Sequence, residues 1–209
     1  MSKREAVTPS HPLGGEMVDI VRGLITRLQL PWLLKHHQQR EVLAFFSGLN
    51  GCISVALIAV VAVVTREPLV FPSLGPTAFL CFYKPLAASS APHNIILGHA
   101  IGVVAGYLSL VVTGLTLAGP ATATGMTWPR VIAAGLAMFL TPAVMVLAGA
   151  PHPPAAATTL IIALGIITRP WQLGVLMLGV ALLAAQAILI NRLAGLDFPL
   201  WKKTGRPSP

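Results

Sequence analysis

Apolar and polar positions fall in blocks along this chain. Four apolar runs, at 43–64, 95–117, 131–150 and 171–190, are interleaved with two shorter ones at 69–83 and 154–168. Each of the four has the roughly 17–25 residues that a helix needs to cross a hydrocarbon core. A fifteen-residue run rises only about 22 Å as a uniform helix, so the two short ones must enter the membrane in another form. Ahead of the first run, Met17, Ile20, Val21, Leu24, Ile25 and Leu28 recur at helical spacing, with Asp19, Arg22 and Arg27 off the stripe, until Pro31 stops the pattern. This predicts an interfacial amphipathic helix, followed by Trp32, Lys35 and Arg40 as an anchor where the chain enters the bilayer. The organisation expected is a tail over 1–41, a transmembrane domain over 42–195 and a basic tail over 196–209, with 1–16 and 201–209 disordered.

The two short runs are broken alike. Gly75 and Pro76 interrupt one, Pro153 and Pro154 the other, and a second proline follows sixteen residues on, at Pro92 and Pro170. Sliding the sequence by 78 positions superposes these prolines and places 95–117 on 173–195. The chain therefore reads as two pseudo-repeats, about 43–117 and 130–192, each with a proline-interrupted short helix between longer ones. With 71–75 and 150–153 extended at about 3.3 Å per residue, and helices from Pro76 to Lys84 and from Pro154 to Thr168, each broken segment spans about 30 Å. That makes six membrane segments, all α-helical, with the second half inverted relative to the first. The alternative is four transmembrane helices with two re-entrant segments.

Composition fixes the compartment. The chain is 55% hydrophobic and 10% charged, with a mean hydropathy of +0.79, which is a membrane protein. The formal net charge of +8 does not imply nucleic acid, because ten of the fourteen Lys and Arg lie in the tails or, for Arg192, at the end of the last span. An excess of Lys and Arg on both tails places both termini in the cytoplasm and makes the number of crossings even. A multi-pass cell (inner) membrane protein is the expectation. Cys52 and Cys81 have no metal or disulfide spacing and read as small buried hydrophobes.

Proline suits a helix start, since its missing N–H would lack an intrahelical partner there. Pro76 and Pro154 are thus expected at two helix starts. The free amides after them, at Thr77, Ala78 and Phe79 and at Ala155, Ala156 and Ala157, form an anion site supported by the helix dipoles. Gly75 and the alanines allow close approach, and Ser73, Thr77, Thr158 and Thr159 offer hydroxyls. No Asp or Glu occurs between Glu67 and Asp197. This argues against a cation pathway and against a hydrolase that needs an acid to hold its base. His152, locked between prolines directly ahead of the second start, is the candidate anion donor or gate. His93 and His99 are six apart, off a common helix face, so no shared metal site is expected; His36 and His37 read as interfacial. Asn50 is expected to bond another helix, Arg130 and Arg169 to anchor their helices at the interface, and Lys84 to snorkel. Gly98, Gly102 and Gly106 have the spacing of a close-packing face between protomers.

The segment Ala150, Pro151, His152, Pro153, Pro154, Ala155, Ala156, together with Phe71, Pro72, Ser73, Leu74, Gly75, Pro76, Thr77, Ala78, closely resembles the HPP family of integral membrane proteins. The likeness covers roughly 43–192. Members in cyanobacteria and chloroplasts are associated with nitrite transport, so the resemblance implies nitrite transport here; it also implies four transmembrane helices, against the six read from the residues. The reading carried forward is channel-like or passive passage of a small monovalent anion, most simply nitrite. Its candidate site is Ser73, Gly75, Thr77, Ala78, His152, Ala155, Ala156 and Thr158, with Pro76, Pro153 and Pro154 as structural helix starts. No catalysis, cofactor, metal or nucleic acid is expected, and the partners are the lipid bilayer and a second copy of the chain. A membrane sensor or assembly subunit without transport remains the alternative.

Overall fold

A computed structural model describes residues 26–202, and every described element is helical. Of the amphipathic helix expected over 17–28, residues 17–25 lie outside the described residues, as do the tails over 1–16 and 203–209. We number the helices α1 (Leu30–His36), α2 (Gln39–Thr65), α3 (Leu74–Tyr83), α4 (Pro92–Val112), α5 (Ala121–Thr124), α6 (Trp128–Leu147), α7 (Ala155–Ala163) and α8 (Pro170–Leu193), with a 3₁₀ turn at Ala88–Ser90. Among the described residues, helices α2, α4, α6 and α8 are the four long and apolar enough to cross a membrane. They carry large exposed hydrophobics such as Val63, Val104, Phe139 and Leu189, as lipid-facing helices must. The chain is a multi-pass helical membrane protein. Three of the four long helices start with Pro in the first turn, at Pro92, Pro129 and Pro170. Arg66 ends α2 in the left-handed region at φ 58°, where the chain turns back.

Contacts fix the direction of each short helix. The Leu69 carbonyl lies against Gly179 in mid-α8, whereas Cys81, near the end of α3, accepts a bond from Asn191 near the end of α8. Helix α3 therefore begins beside the middle of α8 and runs with it to its C-terminal end. Phe46, early in α2, meets Phe82 edge-on, so α3 is antiparallel to α2. Likewise Gly98 faces His152 and Ala155, Gly102 faces Ala155 and Thr159, and Gly106 faces Thr159 and Ile162, so α7 runs with α4. The N–H of His93, at the start of α4, donates to Trp201 just past α8, and α4 and α8 are antiparallel neighbours. Helices α3 and α7 thus start near mid-height and run apart.

Several expectations are corrected. Helix α3 starts two residues before Pro76, which sits third in the first turn, where the N–H would be unpaired anyway. Helix α7 starts one residue after Pro154 and stops at Ala163 rather than at Thr168, because the chain enters the left-handed region at Gly165, φ 78°. The glycines of α4 do not face another protomer: α7 lies on them so closely that a Cβ on Gly102 would fall 2.9 Å from the Ala155 carbonyl. Asn50 bonds the Phe46 carbonyl of its own helix, not another helix. Cys52 is exposed, while Cys81 is buried as expected. Lys84 is exposed and lies 5.8 Å from the Tyr83 ring centre.

Candidate functional site

The two helix starts meet. Thr77, in the first turn of α3, lies 3.3 Å from Nε2 of His152, which stands three residues ahead of α7. Beside them His99 of α4 bridges the two helices, with Nε2 3.0 Å from the Thr77 hydroxyl and Nδ1 2.7 Å from the hydroxyl of Thr158 on α7. The rings of His99 and His152 are 5.0 Å apart, tilted by 53°. His152 Nδ1 reaches the Ser89 carbonyl in the 3₁₀ turn at 2.7 Å. Thr77, His99, His152 and Thr158 are all fully buried. In such surroundings each hydroxyl and ring nitrogen needs a partner, and here each has one. Behind this cluster Thr159 bonds Thr141 of α6 at 2.8 Å.

The other candidate residues are distributed unevenly. Ser73 is the residue before α3, fully buried, and its hydroxyl has no partner. Ala78 and Ala155 are buried. Gly75 and Pro76 are exposed, and Gly75 lines a cavity of about 340 Å³ between α2 and α3. Ala156, with His152 and Pro153, borders a second cavity of about 260 Å³ against Thr141, Pro142 and Met145 of α6. Pro153 is exposed and Pro154 half-buried. Each break therefore has a cavity on its flank, and what lies between the breaks is packed side chain.

The helix-start amides differ from expectation. Ala155, Ala156 and Ala157 donate to the carbonyls of His152, Pro153 and Pro154 at 3.0, 3.1 and 3.1 Å. These tight i→i−3 bonds satisfy the groups that a free helix start would offer to a ligand. The donors that converge between the starts are hydroxyls and imidazoles instead.

Two residues that sequence reasoning set aside carry much of this arrangement. His99 was separated from any partner on its own helix, and its partner lies 53 positions away at His152. Arg130 does not extend to an interface. It is 1% exposed and folds inward, donating to the carbonyls of Ala163 at 3.1 Å, Ala118 at 3.4 Å and Gly119 at 2.7 Å. A cation at a helix C-terminus is favoured by the dipole, and α7 ends on this one. A Cβ at Gly165 would lie 2.5 Å from the guanidinium, so only glycine fits there.

A family model described as HPP, transmembrane region, matches residues 36–199. No curated protein and no solved structure matches the chain.

Proposed function

Because the chain belongs to the HPP transmembrane family, we propose that it carries a small monovalent anion, most simply nitrite, across a bilayer at the place where α3 and α7 begin. One observation carries this reading. The starts of two short helices running apart, at Thr77 and His152, approach to 3.3 Å around hydroxyl and imidazole donors, in a stretch without Asp or Glu from 68 to 196. Two helix N-termini aimed at one point add about half a positive charge each, and no fixed anion opposes them. The partnerless Ser73 hydroxyl at the start of α3 is a further donor.

The passage is gated in this reading. With Thr77 and His152 fully buried, an anion enters only when their contact opens, taking as donors the Thr77 hydroxyl and, when Nε2 carries a proton, the His152 ring. The small side chains of Ala78 and Ala155 leave it room. The cavities beside Gly75 and Ala156 are the approaches from the two flanks.

The opposed directions of α3 and α7 support six membrane segments in two inverted halves. Each short helix completes a crossing that a non-helical stretch, 66–73 or 148–154, begins. Both termini then lie on one side, the cytoplasmic face of the inner membrane by the charge of the tails. A homodimer is the assembly we expect; since α7 occupies the α4 glycines, its interface uses another lipid-facing surface.

Nitrite uptake into proteoliposomes tests the reading, comparing the intact chain with Thr77→Val and His152→Ala. Protein-dependent uptake that both variants abolish supports it. Uptake unchanged in both removes the helix starts from the path, and no uptake by the intact chain leaves a sensor or assembly subunit.

A further inference from the structure

We propose that Thr158, His99, Thr77 and His152 form a directional proton relay that couples anion movement to a proton; this rests on the anion reading above and assigns its driving force. The polarity follows from the bonds. A carbonyl only accepts, so His152 Nδ1 donates to Ser89 at 2.7 Å. With one proton on that ring, Nε2 is an acceptor, and the only hydroxyl bonded to it is that of Thr77, at 3.3 Å. If Thr77 donates there, His99 Nε2 is the donor to Thr77 at 3.0 Å. His99 Nδ1 then accepts from Thr158 at 2.7 Å. Every group in the line has one proton to give and one lone pair to receive.

The Thr77 link is a switch. Its single proton has a second acceptor, the Ser73 carbonyl at 2.9 Å. Pointing at Ser73, it leaves His152 Nε2 without a donor and the line is open; pointing at His152, it closes the line with no heavy atom moved. Transfer balances as follows. A hydronium ion gives a proton to the Thr158 oxygen, which releases its own hydroxyl proton to His99 Nδ1; the Nε2 proton of His99 passes to Thr77, the Thr77 proton passes to His152 Nε2, and the Nδ1 proton of His152 passes to a water that takes the place of the Ser89 carbonyl, which holds that proton in a hydrogen bond but does not carry it onward. One proton enters, one leaves, and both rings change tautomer. Ser89 is half-buried in the turn that precedes α4, so the exit lies toward the side where α8 ends. Histidine chains of this kind mark proton pathways in membrane transporters.

Among the described residues no other ionisable group touches the line. On α3 these are Cys81 and Tyr83, toward the far end, with Lys84 just past it; on α4 they are His93, whose Nδ1 lies against Asn94, and Tyr107, further along the helix. Arg130 starts α6 and is engaged at the C-terminus of α7. Arg169 and Arg192 sit at the two ends of α8. Helix α7 has none.

Voltage and pH gradients separate the outcomes. Nitrite uptake into proteoliposomes, corrected for protein-free vesicles because nitrous acid leaks through lipid, is measured under a valinomycin-clamped potential and under an imposed pH gradient. One-to-one coupling is electroneutral, so uptake is expected to follow the pH gradient and ignore the potential. His99→Gln keeps a hydrogen-bonding side chain without a transferable ring proton and is expected to reduce pH-driven uptake to the protein-free rate. Uptake driven by potential alone, or full pH-driven uptake in His99→Gln, overturns the coupling and leaves the anion passage standing. No protein-dependent uptake under either gradient overturns both. Nitrogen-15 NMR of the histidines in the intact protein reads the polarity without a variant: His152 protonated at Nδ1 and His99 at Nε2 is expected, and the opposite tautomers overturn the relay.

Discussion

Helices α3 and α7 begin at the same polar cluster, yet they are held by different forces. Helix α7 lies along Gly102 and Gly106 of α4, where a Cβ would come within 2.8 to 2.9 Å of its atoms, with His152 just ahead of it 2.7 Å from a Cβ on Gly98, and it ends on the buried guanidinium of Arg130. Helix α3 ends on neutral donors. The Ser90 hydroxyl gives to the carbonyls of Leu80 and Lys84, at 3.2 and 2.7 Å, and the Asn191 amide gives to Cys81 at 3.2 Å. Its other flank is open, with Gly75 and Phe79 along the cavity shared with α2. Close packing and charge-assisted bonds resist displacement, whereas an open flank and neutral caps yield. In the gated reading proposed above, the difference makes α7 the fixed wall of the site and α3 the element expected to move when the Thr77–His152 contact opens.

The largest effect breaks α7 at its charged end. Arg130→Leu leaves the buried Ala163 carbonyl without its charged donor, and with it the carbonyls of the exposed Ala118 and Gly119; at about 1–3 kcal/mol for the buried group and less for the other two, the expected loss is about 3 kcal/mol. A thermal or denaturant unfolding series in detergent reads it, with Arg130→Lys recovering part. A loss under about 1 kcal/mol would mean that α7 is not anchored by this charge. Next comes the packed face. Gly102→Ala forces a methyl against the Ala155 carbonyl and the Thr159 hydroxyl, at 2.9 and 2.8 Å, which costs about 1–3 kcal/mol because backbone cannot swing aside. Nitrite uptake should fall with it, since α7 then shifts relative to His99.

How much of this was legible in the sequence differs between the long helices and the site. The four spans were readable because an apolar run of twenty residues has few other homes, and the observed boundaries differ by a few residues. Helix α4 starts at Pro92 rather than at Ile95, since a helix begins at its proline cap, ahead of its first apolar residue. The two breaks were legible from Pro76 and Pro154, whose chemistry is local. His99 was not, because its partners are on α3, α7 and the Pro-rich loop, 22 to 59 positions away, and spacing along one helix carries no record of them. Arg130 was misread for a similar reason. Beside Trp128 and Pro129 it has the neighbours of an interfacial anchor, and only the fold shows that a helix ends within its reach.

The neutral cap of α3 gives a smaller effect than Arg130. Asn191→Leu removes the amide bonds to Cys81 and Ala187, but it also removes a buried Asn191 oxygen that has no partner. The two terms oppose each other, so the expected loss is about 1 kcal/mol. An unfolding midpoint as low as that of Arg130→Leu would erase the distinction between the two helix ends.

The smallest effect is the most direct test of which helix moves. A Cβ built on Gly75 meets nothing within 4 Å, and Gly75 does not have positive φ, so Gly75→Ala should change stability by no more than about 0.5 kcal/mol. It does narrow the open flank into which α3 must shift. Uptake should therefore slow while the unfolding midpoint stays put, the reverse of Gly102→Ala, where the two fall together. Hydrogen exchange on the unmodified protein should show the same asymmetry, with amides of α3 exchanging faster than those of α7. Equal protection, or uptake in Gly75→Ala equal to that of the parent, would place the movement elsewhere: an α3 that is as fixed as α7 leaves the loop at 148–153, with His152 on it, as the part that opens.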